Sequence, residues 1–287
     1  MPDKTKILGV IVPKLDSYFI TSALKGIREV AAGKGYELII THSQESMEKE
    51  IANAQLLFDW RVDGVIASLS AETKSLSHFT AFTDRGIPLV FFDRVERTDR
   101  SDSVVIDNAR CGFMATEHLI KQGCRRIAII TSNLERNVYI QRFKGFREAL
   151  KDYTIPFTED LLILGDIERD GGAEIASMIR EMRPMPDGLF FTNDLAAVLC
   201  MHSLQEAGVR IPEDIAIVGF NNDPLGRLVT PALTTIDYPG LEIGRTAARS
   251  LLYQLSGSHA AECRTAVVPA ELIVRNSSLR VKAIHLS

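Results

Sequence analysis

Long apolar runs are missing from this chain. None approaches the roughly 18 residues that a membrane helix requires, and the opening MPDKTK carries no apolar leader core, so neither insertion nor export is expected. An excess of basic charge is missing as well: 33 Lys and Arg stand against 37 Asp and Glu, for a formal net charge of -4. A surface that neutralises many phosphates is basic, so the chain by itself is expected to be a poor nucleic-acid binder. Cysteine is sparse. Cys111, Cys124, Cys200 and Cys263 form no CxxC pair and no zinc spacing, a usage that fits reduced thiols in a cytoplasmic protein.

Catalytic and cofactor motifs are missing too. No GxGxxG follows a strand, and Gly33-Lys34-Gly35 precedes a strand where a phosphate cradle would open a helix. There is no Walker lysine motif, HExxH or GxSxG. His42, His78, His118, His202, His259 and His285 are scattered without metal spacing. No nucleophile is paired with a base, so neither an enzyme nor a cofactor or metal protein is expected.

What is present is an alternation of buried-strand and helical patterns. KILGVIV (6–12) reads as a strand. The helix over 16–34 carries Ile20, Ala23, Leu24, Ile27, Val30 and Ala31 on one face. Strands follow at 36–40, 64–67, 88–92 and 104–106, with helices at 45–60 and 73–84 between them. The rhythm restarts with helices at 110–121, 138–150 and 172–182 and strands at 126–130 and 161–164. A last helix spans 241–255, and 267–268 and 272–274 are short closing strands. Strands joined through helices favour parallel sheets covered on both faces, and this many exceed one sheet of usual size. The expected fold is α/β, with two Rossmann-like lobes joined by several crossovers. The lobes are assigned as 1–107 with 237–264, and 108–236 with 265–287. Repeated crossings without a long tether suggest a hinge over a cleft.

The most informative stretch is GLFFTNDLAAVLCMHSLQEAGVRIPEDIAIVGFNND (188–223). Two apolar runs end in polar clusters, Thr192-Asn193-Asp194 and Asn221-Asn222-Asp223. Ligands of open α/β sheets bind outside the carboxyl ends of the strands, so these clusters point to a small-molecule site.

An ordered set of segments carries a family resemblance. ILGVIVPKLDSYFITSALKGIREVAAGKGYELIITHS, RVDGVIAS, GIPLVFFDR, HLIKQGCRRIAIITS, QRFKGFREAL, GLFFTNDLAAV, IPEDIAIVGFNND, PALTTIDYP and ELIVRNS resemble the effector-binding core of LacI/GalR transcription regulators, over about residues 6–277. The resemblance implies a periplasmic-binding-protein-like fold, a homodimer, and operator binding through an N-terminal helix-turn-helix. Only the five residues MPDKT precede KILGVIV, so DNA binding is expected of a longer protein that includes such a domain, or is absent in a relative that never had it.

Site candidates follow from both sources. Asp93 ends PLVFF, where a carboxylate can accept two hydroxyls of a sugar; the family places a ligand aspartate there, and a turn residue is the plain alternative. Arg142 lies early in a helix that buries Phe143, Phe146 and Leu150, and the family holds its effector with the arginine of this motif. Asn193 and Asp194 stand at a strand-to-helix junction where either can cap; the expectation is that Asn193 binds and Asp194 caps. Asn221 stands where many members carry aspartate, which weakens the match to their neutral sugars. Tyr18 and Phe19 offer rings for stacking or for packing between lobes. Phe190 is ranked lower, as a strand residue suited to the core, and Ile167 offers only apolar contact. The expected function is ligand-responsive transcription regulation, with a sugar first and a purine or nucleoside second as effector. The alternatives are a solute-binding protein for transport, which the lack of a leader opposes, and an enzyme of sugar or nucleotide metabolism.

Overall fold

The computed structural model describes residues 5–96, 98–165, 171–257 and 263–280. The chain divides into two units, Met1–Ile106 with Pro239–Pro269, and Asp107–Tyr238 with Ala270–Ser287. It passes between them three times.

The first unit contains β1 (Ile7–Val12), α1 (Tyr18–Ala32), β2 (Glu37–His42), α2 (Met47–Asp59), β3 (Gly64–Ala67), α3 (Thr80–Asp84), β4 (Leu89–Phe92) and β5 (Asp102–Val105). The second contains α4 (Asn108–Lys121), β6 (Ile127–Thr131), α5 (Asn137–Asp152), β7 (Leu162–Leu164), α6 (Gly172–Glu181), β8 (Gly188–Phe191), α7 (Asp194–Glu206), β9 (Ala216–Asn221), α8 (Leu225–Leu228) and β10 (Thr234–Asp237). The chain then returns to the first unit with α9 (Gly240–Leu255) and β11 (Thr265–Val267), and ends the described fold in the second with β12 (Glu271–Ile273).

The two sheets are built alike. Their orders are β11-β5-β4-β3-β1-β2 and β12-β10-β9-β8-β6-β7. Each holds a doubly wound core in which the strand order reverses beside the first strand, β1 in one and β6 in the other. Such reversal points are where crevices form at the carboxyl ends. All pairs are parallel except β10 with β12, which is antiparallel. Parallel pairing puts every carboxyl end of a sheet on one edge, so polar residues that terminate different strands become neighbours. The central strands β3, β4, β6 and β8 are buried along their whole lengths, which is why they read as unbroken apolar runs.

Two expectations are corrected, and a buried polar strand is added. The closing boundary assigned at 264/265 moves to 269/270, because Thr265–Val267 pairs with Ser103–Val105 in the first sheet. The segment 231–239, which lacks helical periodicity, forms β10 and then passes back to the first unit at Pro239. Its Thr234 and Thr235 are buried with their hydroxyls bonded, to Ser278 and the Arg275 carbonyl and to Asp194 respectively; a strand with buried threonines does not look apolar. The helix expected over 73–84 shrinks to a 3-10 turn at Ser77–Phe79 followed by α3. Residues ahead of that turn are committed elsewhere: the fully buried carboxylate of Glu50 accepts from the Ser70 N–H (2.7 Å) and the Thr73 hydroxyl (2.8 Å), and bonds His78 Nε2 at 2.9 Å. This pins the loop after β3 to α2.

In the second unit, α4 and α5 meet through glycine. A Cβ on Gly145 would lie 1.9 Å from the Ala109 carbonyl oxygen, and one on Gly112 would lie 2.2 Å from the Arg142 carbonyl oxygen. The backbones touch at the turn that carries Arg142. Gly145→Ala is therefore expected to force the helices apart and destabilise the unit by about 1–3 kcal/mol. The urea midpoint should fall with an unchanged m-value. An unchanged midpoint would refute this account of the crossing.

Candidate functional site

The expected site residues cluster at strand ends. In the first unit, Asp93 follows β4. Its N–H donates to the Val104 carbonyl (3.0 Å) and its Oδ2 accepts from the Ser68 hydroxyl at 3.4 Å, just beyond β3. The side chain is buried, and its φ of 60° lies in the left-handed region, which aspartate tolerates better than most residues. Of the two aromatics after β1, Tyr18 is 51% exposed and Phe19 is buried. Ser17 caps this helix by accepting from Ile20 N–H at 3.5 Å. The Phe19 ring packs against the start of α9, with Cδ2 3.2 Å from where a Gly240 Cβ would stand. Only Tyr18 keeps a free ring face.

The second unit builds a tighter constellation. Arg142 is 3% exposed, fully inside where the sequence had it only flanking the core. Nε donates to Asn108 Oδ1 at 2.8 Å and Nη1 to the Thr192 carbonyl at 3.0 Å. Its guanidinium lies 3.5 Å from the Phe220 ring centroid, with Tyr238 at 5.3 Å and Tyr139 at 5.9 Å. A planar, weakly hydrated cation is suited to such stacking. Three elements thus hold it: α4 through Asn108, the end of β8 through Thr192, and β9 through Phe220. The Thr192 hydroxyl also bonds Thr131 at the end of β6, at 3.1 Å.

The assignment at 193 and 194 is reversed in one respect. Asn193 is the N-cap of α7, its Oδ1 accepting from Leu195 N–H at 2.8 Å and Ala196 N–H at 3.4 Å. Asp194, expected to cap, is wholly buried instead. Oδ1 accepts from the Thr235 hydroxyl at 2.7 Å and Oδ2 from Asp223 N–H at 2.8 Å. The carboxylate lies so close to β9 that a Cβ on Gly219 would be 2.1 Å from Oδ1. Burial first, and the Asp223 charge second, push the Asp194 carboxyl up to about 7. Asp194 thereby latches the loop after β9. The chain enters that loop through Asn221, the last residue of β9, at φ 123° and Asn222 at φ 57°, sparsely populated conformations that collect at binding sites. Asn222 is held in turn by Asp237 (2.8 Å) and Arg275 (2.6 Å).

Phe190 is fully buried in β8, 6.5 Å from Phe220, so it supports the aromatic layer under Arg142 and does not reach the strand ends. Ile167 lies outside the described residues. Sequence reasoning missed Asn108, Thr192, Phe220 and Tyr238 as partners of Arg142. Only the polar ends of the apolar runs signalled Thr192; nothing local signals Asn108.

Among the described residues, no group of three or more His, Cys, Asp or Glu could hold a metal, and no helix is long and apolar enough to cross a membrane. Burial pushes the Cys111 and Cys124 thiols up to about 12, the opposite of activation.

Two doubly wound sheets with polar strand ends define a periplasmic-binding-protein-like fold. A family model described as periplasmic binding protein-like domain matches residues 116–278. The chain is 31% identical over 274 residues to the HTH-type transcriptional repressor PurR of Erwinia tasmaniensis, covering 95% of this chain and 80% of that protein. Among solved structures it is similar to a LacI family transcriptional regulator from Enterococcus faecium with bound ribose (28% identity, TM-score 0.85, 96% and 100% of the two chains). A transcriptional regulator CelR–cellobiose complex is similar at 26% identity and TM-score 0.87, over 96% and 85%. The chain belongs to the periplasmic binding protein-like domain family, as an effector-binding core of the LacI/GalR type.

The Asp194 latch has a pH signature. Its carboxyl titrates near 7 when folded and near the ordinary 3.8 when unfolded, so the native state holds a proton the unfolded chain has released. The stability this gives is complete below about 4 and is lost as pH rises through about 7. Asp194→Asn does not titrate. The wild type should therefore lose stability relative to Asp194→Asn between pH 5 and pH 8 in urea unfolding; a constant difference would refute the latch.

Proposed function

We propose that this chain binds a small polar metabolite and passes that event to operator binding, each unit offering its own polar strand ends to a ligand. Asp93 of the first unit is the acceptor for ligand hydroxyls. Arg142, Asn193 and Asn221 of the second are the polar contacts, and Tyr18 is the candidate stacking ring. Carbohydrate is the first class of effector and a purine or nucleoside the second. Ribose and cellobiose in the similar regulators support the first class. The observation that carries the reading is Arg142: a buried guanidinium at the carboxyl edge, fixed on two sides, whose second terminal nitrogen has no protein partner among the described residues.

The output is proposed to be that of a homodimeric regulator with a helix-turn-helix; the relative's printed name, HTH-type transcriptional repressor, supports the helix-turn-helix. Half-site spacing on DNA is geometric, so a small rotation between subunits changes operator affinity. Effectors act only through their differential affinity for two states, and couplings of this kind are worth about 1–3 kcal/mol.

Thermal-shift and calorimetric screening of sugars, purines and nucleosides identifies the ligand. Two variants then test the site without removing the buried arginine, whose loss would leave Asn108 and the Thr192 carbonyl unpaired. Asp93→Asn keeps the shape and the tolerance of φ 60°. Asn221→Gly removes the amide while suiting φ 123°, and should keep or slightly raise stability. Each is expected to weaken binding roughly ten- to hundred-fold, the value of a charge-assisted hydrogen bond for Asp93 and somewhat less for Asn221. Wild-type affinity in both variants would reject the assignment.

A further inference from the structure

We propose that the effector carries an acidic group, a carboxylate or a phosphate, and that this group sits on Arg142. The proposal rests on the reading that the effector occupies these strand ends, and it adds the charge class.

The argument is charge balance inside the second unit. A buried cation needs an anion or a full set of acceptors. Arg94, buried to a similar degree, is seated on both carboxylate oxygens of Glu45, at 2.8 and 2.7 Å. Arg142 has no such partner among the described residues. Its two bonds go to an amide oxygen and a peptide carbonyl, both neutral. The rings of Phe220, Tyr238 and Tyr139 hold its face but cannot neutralise it, and they leave the guanidinium edge as the direction of approach.

The buried carboxylate at these strand ends does not compensate for it. Asp194 is spent on the Thr235 hydroxyl and the Asp223 N–H, and its burial favours the neutral acid. The remaining candidates add donors. Asn193 uses Oδ1 to cap α7, which leaves its amide NH2 for a ligand. The N-terminus of that 13-residue helix stands at the same junction and favours negative charge. Among the described residues, the second unit thus offers Arg142, the Asn193 amide and the α7 N-terminus as donors at this edge, while the Asp237 carboxylate is engaged by the Asn222 amide. A ligand that matches these donors supplies oxygens bearing negative charge.

Matched pairs test this by calorimetry on the intact chain. They are D-ribose with D-ribose 5-phosphate, D-glucose with D-gluconate and with D-glucose 6-phosphate, and D-galactose with D-galacturonate. At least one acid is expected to bind at least roughly tenfold more tightly than its neutral parent. Which acid prevails separates a carboxylate from a phosphate effector. The preference should shrink with added NaCl, vanish in Arg142→Gln and survive in part in Arg142→Lys, with folding of both variants checked by circular dichroism and Tm. The inference is overturned if no acid in the set binds, if a neutral parent binds as tightly as its acid, or if a folded Arg142→Gln keeps the preference. A neutral sugar that binds as tightly as its acid, and is lost in Asp93→Asn and Asn221→Gly, removes this inference and leaves the proposed function standing.

Discussion

Parallel strand pairing is the constraint from which the site derives. A parallel sheet satisfies its backbone internally and sends all its carboxyl ends to one edge, so whatever side chains terminate the strands are collected there. Here those side chains are polar: Asp93 after β4, Thr131 at the end of β6, Thr192 and Asn193 after β8, and Asn221 at the end of β9. Within each unit, residues far apart in the chain come to the same sheet edge because both sheets follow one winding order.

Within that frame, each polar group is held by a specific contact. The glycine-mediated crossing of α4 and α5 sets the depth of Arg142. Asn108, Thr192 and Phe220 set its direction. Asp194 anchors the loop after β9 to β10, and Glu50 anchors the loop after β3 to α2. Two buried carboxylates thus serve to fix loops at the strand-end edges. The cost of burying them is offset by hydrogen bonds to each oxygen, and the gain is a preorganised set of donors and acceptors, which reduces what a ligand must order on binding.

The sequence was most legible where local and tertiary demands coincide. Central strands that are buried on both faces must be apolar throughout, so β1, β3, β4, β6, β8 and β9 were readable within a residue or two. Helices with one buried stripe were readable for the same reason. Legibility failed where buried polar groups replaced apolar ones. β10 hides two threonines in a strand, and Thr73 serves the Glu50 carboxylate where periodicity alone continues a helix. It failed again between Asn193 and Asp194, because two adjacent residues able to cap are indistinguishable until one is found buried against Gly219.

The sequence by itself determined the alternation of strands and helices, the polar character of the strand ends and the kinship with LacI/GalR cores, since all of these are properties of residues near one another in the chain. Tertiary structure alone decided that Thr265–Val267 completes the first sheet, that Arg142 lies among Phe220, Tyr238 and Tyr139 and bonds no carboxylate among the described residues, and that Asp194 latches a loop. Each of those facts depends on which distant residues share a low-dielectric interior, and the energy of a buried charge or hydrogen bond is set by those neighbours and not by its place in the chain.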